Sequence, residues 1–114
     1  MSQPEYGRNR RVSRRRPTKG STKTFCYRGP MGLGANLAVS TVEVSETGAC
    51  LVVKEPFDIG EEMEVHLEGL VHRRPIRKMA RVVWSVSAGP ERWRVGVQFQ
   101  GSLRYAELNV LTRS

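Results

Sequence analysis

From residue 21 onward, apolar and polar side chains alternate with a period of two, the pattern of strands with one buried and one wet face. The clearest run sets Trp93, Val95, Val97 and Phe99 against Arg94, Gly96 and Gln98. Met63, Val65 and Leu67 alternate with Glu62, Glu64, His66 and Glu68, and Ala80, Val82, Trp84 and Val86 alternate with Arg81, Val83 and Ser85. By this alternation Trp84 and Trp93 both belong to the core. Thr22 to Arg28 reads as a first strand, rich in β-branched and aromatic residues, and Ala38–Val44 with Ala49–Lys54 reads as a hairpin around a tight turn at Glu46 to Gly48. Gly29 to Gly34, Pro56 to Gly60, His72 to Pro75 and Gly89–Pro90 punctuate the runs as loops. The final stretch alone has helical spacing: Ser102 serves as N-cap, with Leu103, Ala106 and Val110 on one face, so a helix is predicted over 102–112. Six short strands at regular spacing predict a mainly β fold, a closed antiparallel barrel, because closure removes exposed edges.

The chain has 114 residues, the size of one domain, with 39% hydrophobic and 26% charged residues. Charge divides it. Residues 1–20 hold seven basic side chains against one acid, Glu5, whereas the other 94 hold 12 basic and 10 acidic ones. Mutual repulsion and the scarcity of apolar groups predict that 1–20 is a flexible arm on a nearly neutral barrel, 21–114. No apolar run reaches membrane-spanning length and the N-terminus lacks the apolar stretch of a signal peptide, so a cytoplasmic protein without membrane insertion is expected. Cys26 and Cys50 lie in apolar segments, away from any metal-ligand spacing, and read as reduced buried thiols. His66 and His72 have no partner ligands at metal spacing. No nucleophile–base pair, metal cage or phosphate-cradling G-x-x-x-x-G-K-[ST] loop occurs, so neither catalysis nor a cofactor is expected.

Two features fall outside the core pattern. Residues 10–16 (RRVSRRR) contain R-x-x-x-R twice, as Arg10/Arg14 and Arg11/Arg15. Guanidinium forks grip phosphate oxygens in pairs and also suit the N7/O6 edge of guanine. Further on, Glu43-Val44-Ser45-Glu46-Thr47-Gly48 places a carboxylate and a hydroxyl on one strand face, followed by a glycine that frees the backbone for a turn and close approach. A carboxylate there accepts hydrogen bonds from the N1–H and N2–H edge of guanine.

These residues resemble the PilZ family, whose signature is R-x-x-x-R in an N-terminal loop and [D/N]-x-S-x-x-G on a barrel strand. The likeness extends through Ala80–Trp84 (ARVVW), Val95–Phe99 (VGVQF) and the terminal helix, from Arg10 to nearly the end. It implies a PilZ-like six-stranded barrel that binds cyclic di-GMP without catalysis. Arg10 and Arg14, or Arg11 and Arg15, would then take phosphate and guanine contacts, with Glu43, Ser45 and Gly48 in the second motif. Glu43 stands where the family has Asp or Asn, which displaces the carboxylate by one methylene.

The expected function is therefore a messenger receptor or adaptor whose arm orders on ligand binding and whose altered surface is read by a downstream protein. Two alternatives remain open: a PilZ-fold interaction module that no longer binds nucleotide, and a small basic barrel that binds RNA or DNA through its arm.

Overall fold

The computed structural model describes residues 15–29, 34–69 and 75–112. In chain order the elements are β1 (Arg16–Pro17), β2 (Lys23–Arg28), β3 (Ala38–Val44), β4 (Gly48–Val53), β5 (Glu62–Glu68), β6 (Ile76–Ser87), β7 (Trp93–Phe99) and α1 (Tyr105–Leu111). All strand pairs are antiparallel, in the order β1-β3-β4-β7-β6-β5-β2. The mainly β class with a short terminal helix is as the alternation predicts. The strand number is seven rather than six. The additional strand, Arg16–Pro17, has no hydrophobic pattern of its own and exists because the C-terminal end of β3 offers it Val44 and Glu43 as partners.

Alternation sorts β5 cleanly: Met63, Val65 and Leu67 are buried and the residues between them face outward. Together with Cys26, Leu51, Val53, Ala80, Val82 and Val95 they are at most 1% exposed. Each aliphatic side chain so buried contributes about 1.5–3 kcal/mol before the entropic cost of ordering it.

The sheet curls until β2 approaches β3, but no ladder joins these two strands among the described residues. The seam is closed by other bonds. The Leu37 N–H donates to the Cys26 carbonyl at 2.9 Å, the Cys26 N–H donates to Asn36 Oδ1 at 2.9 Å, and the Thr24 and Thr41 hydroxyls bond at 2.6 Å. The barrel is thus a curled sheet whose seam is sealed by isolated main-chain and side-chain bonds, not by a continuous ladder.

Between β1 and β2 the end of α1 enters the gap. The Leu111 carbonyl, an orphan at the helix C-terminus, accepts the Lys19 N–H at 2.9 Å and the Thr22 hydroxyl at 3.1 Å. Thr18 forms an isolated bridge with Thr112. Arg16 to Lys19 are thus held to β3 and to the end of α1.

The helix is shorter than 102–112. Arg104, not Ser102, is its N-cap, and the Arg104 N–H donates to Glu107 Oε1 at 2.8 Å. Ser102 instead offers its carbonyl to Lys78 Nζ at 3.1 Å. Leu108 and Leu111 form the buried face, while Ala106 is exposed.

β6 departs from simple alternation. A register shift between Val82 and Trp84 inserts a residue into the ladder with β7, so Val82 pairs with Val97 and Trp84 with Gly96. The parity of the strand inverts there. Val82 is buried, whereas Val86, expected in the core, is 52% exposed.

Candidate functional site

The outer face of β3, β4, β7 and β6 carries a cross-strand row: Glu43 opposes Cys50, Cys50 opposes Gly96, and Gly96 opposes Trp84. Beside it, Gly48 opposes Gln98. Small residues at the centre of the row leave a cavity of about 520 Å³, whose lining includes Arg15, Glu43, Ser45, Gly48, Cys50, Trp84 and Gln98.

Arg15 reaches the cavity because β1 lies beside the end of β3. Its Nη1 is 3.4 Å from Glu43 Oε1, and its side chain is 71% exposed against 32% for Glu43. Glu43 Oε1 is itself enclosed and lacks a hydrogen bond among the described residues. The contact is an ion pair without hydrogen-bond geometry, and between a largely exposed arginine and its partner it stabilises little. The carboxylate oxygen thus retains unused acceptor capacity at the cavity wall.

Ser45 is buried and its hydroxyl organises the β3–β4 turn. Oγ accepts from the Thr47 N–H at 3.3 Å and the Gly48 N–H at 3.2 Å, while the Ser45 N–H donates to the Gly48 carbonyl at 2.8 Å. The turn is fixed to its surroundings as well: the Phe99 N–H donates to the Thr47 carbonyl and the Leu103 N–H to the Glu46 carbonyl, each at 2.8 Å. Serine here acts on the backbone, as short hydroxyl side chains do in turns.

Gly48 is required by packing rather than by turn conformation. A Cβ at this position would lie 2.3 Å from the Val97 carbonyl oxygen, inside the β4–β7 ladder. At Gly96 a Cβ would lie 2.1 Å from Trp84 Nε1, so the indole rests against the glycine. Trp84 is consequently a half-buried wall of the cavity and not a core residue, a correction to the alternation-based assignment caused by the β6 bulge. Trp93 does pack against the core.

The two cysteines are free and buried, but in different surroundings. Cys26 is fully enclosed in the core, and burial pushes its thiol up to about 12. Cys50 faces the cavity row. Burial also raises its thiol, with Glu43 adding to the rise and the charges of Arg94 and Arg15 opposing it. Among the described residues no cluster of His, Cys, Asp and Glu is arranged to hold a metal ion.

Of the residues singled out from sequence, the structure brings Arg15, Glu43, Ser45 and Gly48 to one cavity. Arg10, Arg11 and Arg14 lie outside the described residues, as does His72. Sequence reasoning did not select Trp84, Gly96, Cys50 or Gln98 for the site. The available signal was Gly96, a glycine inside an otherwise apolar strand, which marks a close neighbour.

No described helix is long and apolar enough to cross a membrane. Neither the curated proteins nor the solved structures provide a match to the chain. The family model of the PilZ domain, however, matches residues 9–113. PilZ domains are in general cyclic di-GMP-binding or adaptor domains without catalytic activity. With nearly its whole length covered by that model, over a curled antiparallel sheet with a terminal helix, the chain belongs to the PilZ domain family, whose members are not enzymes.

Proposed function

We propose that the chain is a cyclic di-GMP receptor whose ligand lies in the outer-face cavity, against Glu43 and Trp84 and under the arginines of residues 10–15. The observation that carries this reading is the meeting of Arg15 and Glu43 at one cavity wall, 3.4 Å apart, where the two separated sequence motifs converge. The chemistry is complementary. Arginine forks take phosphate oxygens, the Glu43 carboxylate accepts the N–H edge of guanine, and the Trp84 indole offers a face for a base.

In this mechanism the ligand's phosphates draw the arm arginines down onto the barrel. Ordering the arm costs conformational entropy, so affinity depends on several charge-assisted hydrogen bonds forming together. Ser45 and Gly48 contribute by holding the β3–β4 turn, and with it Glu43, in place. The remodelled surface beside β1 is then presented to a downstream protein, without any bond being made or broken in the ligand.

Calorimetry at moderate salt tests the reading, with cyclic di-GMP compared against cyclic di-AMP, GTP and an oligonucleotide. Saturable binding of cyclic di-GMP is expected, lost in a variant with Arg10, Arg11, Arg14 and Arg15 all changed to Ala but still folded. Equal affinity for all four ligands, or unchanged binding in that variant, defeats it.

A further inference from the structure

β7 carries a second cation to the cavity side of the barrel. Val95 and Val97 point inward, so Arg94, Gly96 and Gln98 point outward together. Arg94 is in register with Val52 of β4 and Val86 of β6, two residues along from the Cys50–Gly96–Trp84 row. Neither neighbour offers a carboxylate. Among the described residues Arg94 forms no ion pair or hydrogen bond, whereas Arg81, further along the same face, lies 3.7 Å from Glu62. The charge of Arg94 nevertheless acts on the Cys50 thiol, which lines the cavity.

The two cations stand on opposite sides. Arg15 precedes β1, and β1 is separated from β7 by β3 and β4. Three strand spacings, about 14 Å, separate them across the sheet and four residue steps, about 13 Å, along it, so they stand roughly 20 Å apart with the cavity row between them. Both side chains are long and exposed, so each can lean inward over a bound molecule. A ligand carrying phosphates on two sides fits this arrangement better than one with a single anionic end.

Resting on the receptor reading given above, we propose that Arg94 is the barrel's own phosphate-binding residue, gripping the side of a cyclic dinucleotide that faces away from Arg15 and the arm. The arm arginines then supply only part of the ligand's charge neutralisation. The rest is carried by a strand of the barrel itself.

Calorimetric titration of the full chain with cyclic di-GMP, repeated at several salt concentrations, tests this with R94A, R94K and R77A. Arg77 is an exposed residue of β6 opposite His66, and its removal imposes the same loss of net charge. R94A is expected to weaken binding roughly ten-fold, the scale of one lost charge-assisted contact, and to flatten the salt dependence. R94K is expected between R94A and wild type, because lysine keeps the charge without the planar fork. R77A should remain within about two-fold of wild type, since screening limits a distant charge. Wild-type binding with R94A no weaker than R77A overturns the role of Arg94 alone. Absence of binding by the wild type overturns the receptor reading, and this inference with it.

Discussion

On the outer face of β2, β5 and β6 the side chains cover one another, whereas on the outer face of β3, β4 and β7 they leave a hollow. The first face carries Phe25 and Tyr27 opposite His66 and Glu64, with Met79 opposite Glu64 in turn. The His66 ring meets the edge of Tyr27 at a centroid distance of 5.3 Å and lies 2.9 Å from Glu64 Oε2, leaving the two side chains only 16% and 17% exposed. The second face has Cys50 and Gly96 at its centre, and a cavity of about 520 Å³ results. Both are outer faces of the same sheet, turned away from the core. What separates them is side-chain length at two central positions, and the open face is also the one that β1 borders with Arg15. A barrel wall acquires a hollow where its outward residues are too small to cover the sheet.

The largest effect expected from disturbing this contrast comes from closing the hollow. Gly96→Ala places a methyl group where the Trp84 indole rests. The overpacking should cost about 2 kcal/mol, read from denaturation midpoints, and should displace the indole, read from its fluorescence. Trp84→Ala in the same chain removes the clash, so the double variant should recover much of the stability lost at Gly96. Independent, additive losses would show that the indole does not lie against Gly96.

The converse change opens the covered face. His66→Ala removes the edge contact with Tyr27 and the bond to Glu64 while leaving the core below untouched. A loss of about 1 kcal/mol is expected, with cyclic di-GMP affinity unaffected. Altered affinity would mean that the two faces communicate through the barrel.

The contrast was only partly legible in the sequence, for reasons that differ by element. β5 and β7 announce themselves because a strict period of two specifies which residues face the core. β1 has no such signal: Arg16 and Pro17 pair because of what β3 presents to them. In β6 the alternation is readable up to Val82, but the bulge that follows is a relation between β6 and β7, so it reverses the assignments of Trp84 and Val86. The carboxylate, the turn serine and Arg15 that line the cavity lie in local motifs of the sequence. Cys50, Gly96, Trp84 and Gln98 come together only through register across three strands, which one-dimensional spacing does not encode. Ser102 has the right chemistry for an N-cap, yet the helix begins later, where Glu107 can satisfy the Arg104 N–H.

The smallest expected effect concerns the two thiols, which report on core and cavity at single residues. Both are raised, chiefly by burial, so little thiolate is present in the folded protein near neutral pH and neither titrates there. Because both sulfurs are buried, alkylation is further governed by structural opening. Cys26 is enclosed by the core and the β2–β3 seam, so its exposure requires opening close to global unfolding. Cys50 lines the cavity and stands outside the core cluster, so a movement of the cavity lining, short of opening the core, is expected to expose it. Mass spectrometry of an alkylation time course should find Cys50 modified faster than Cys26 by on the order of ten-fold or more. Cyclic di-GMP should slow the reaction at Cys50 well beyond any general stabilisation seen at Cys26. Equal rates at the two cysteines would mean that the cavity floor opens no more readily than the core, and uniform slowing by ligand would place the ligand somewhere other than over Cys50.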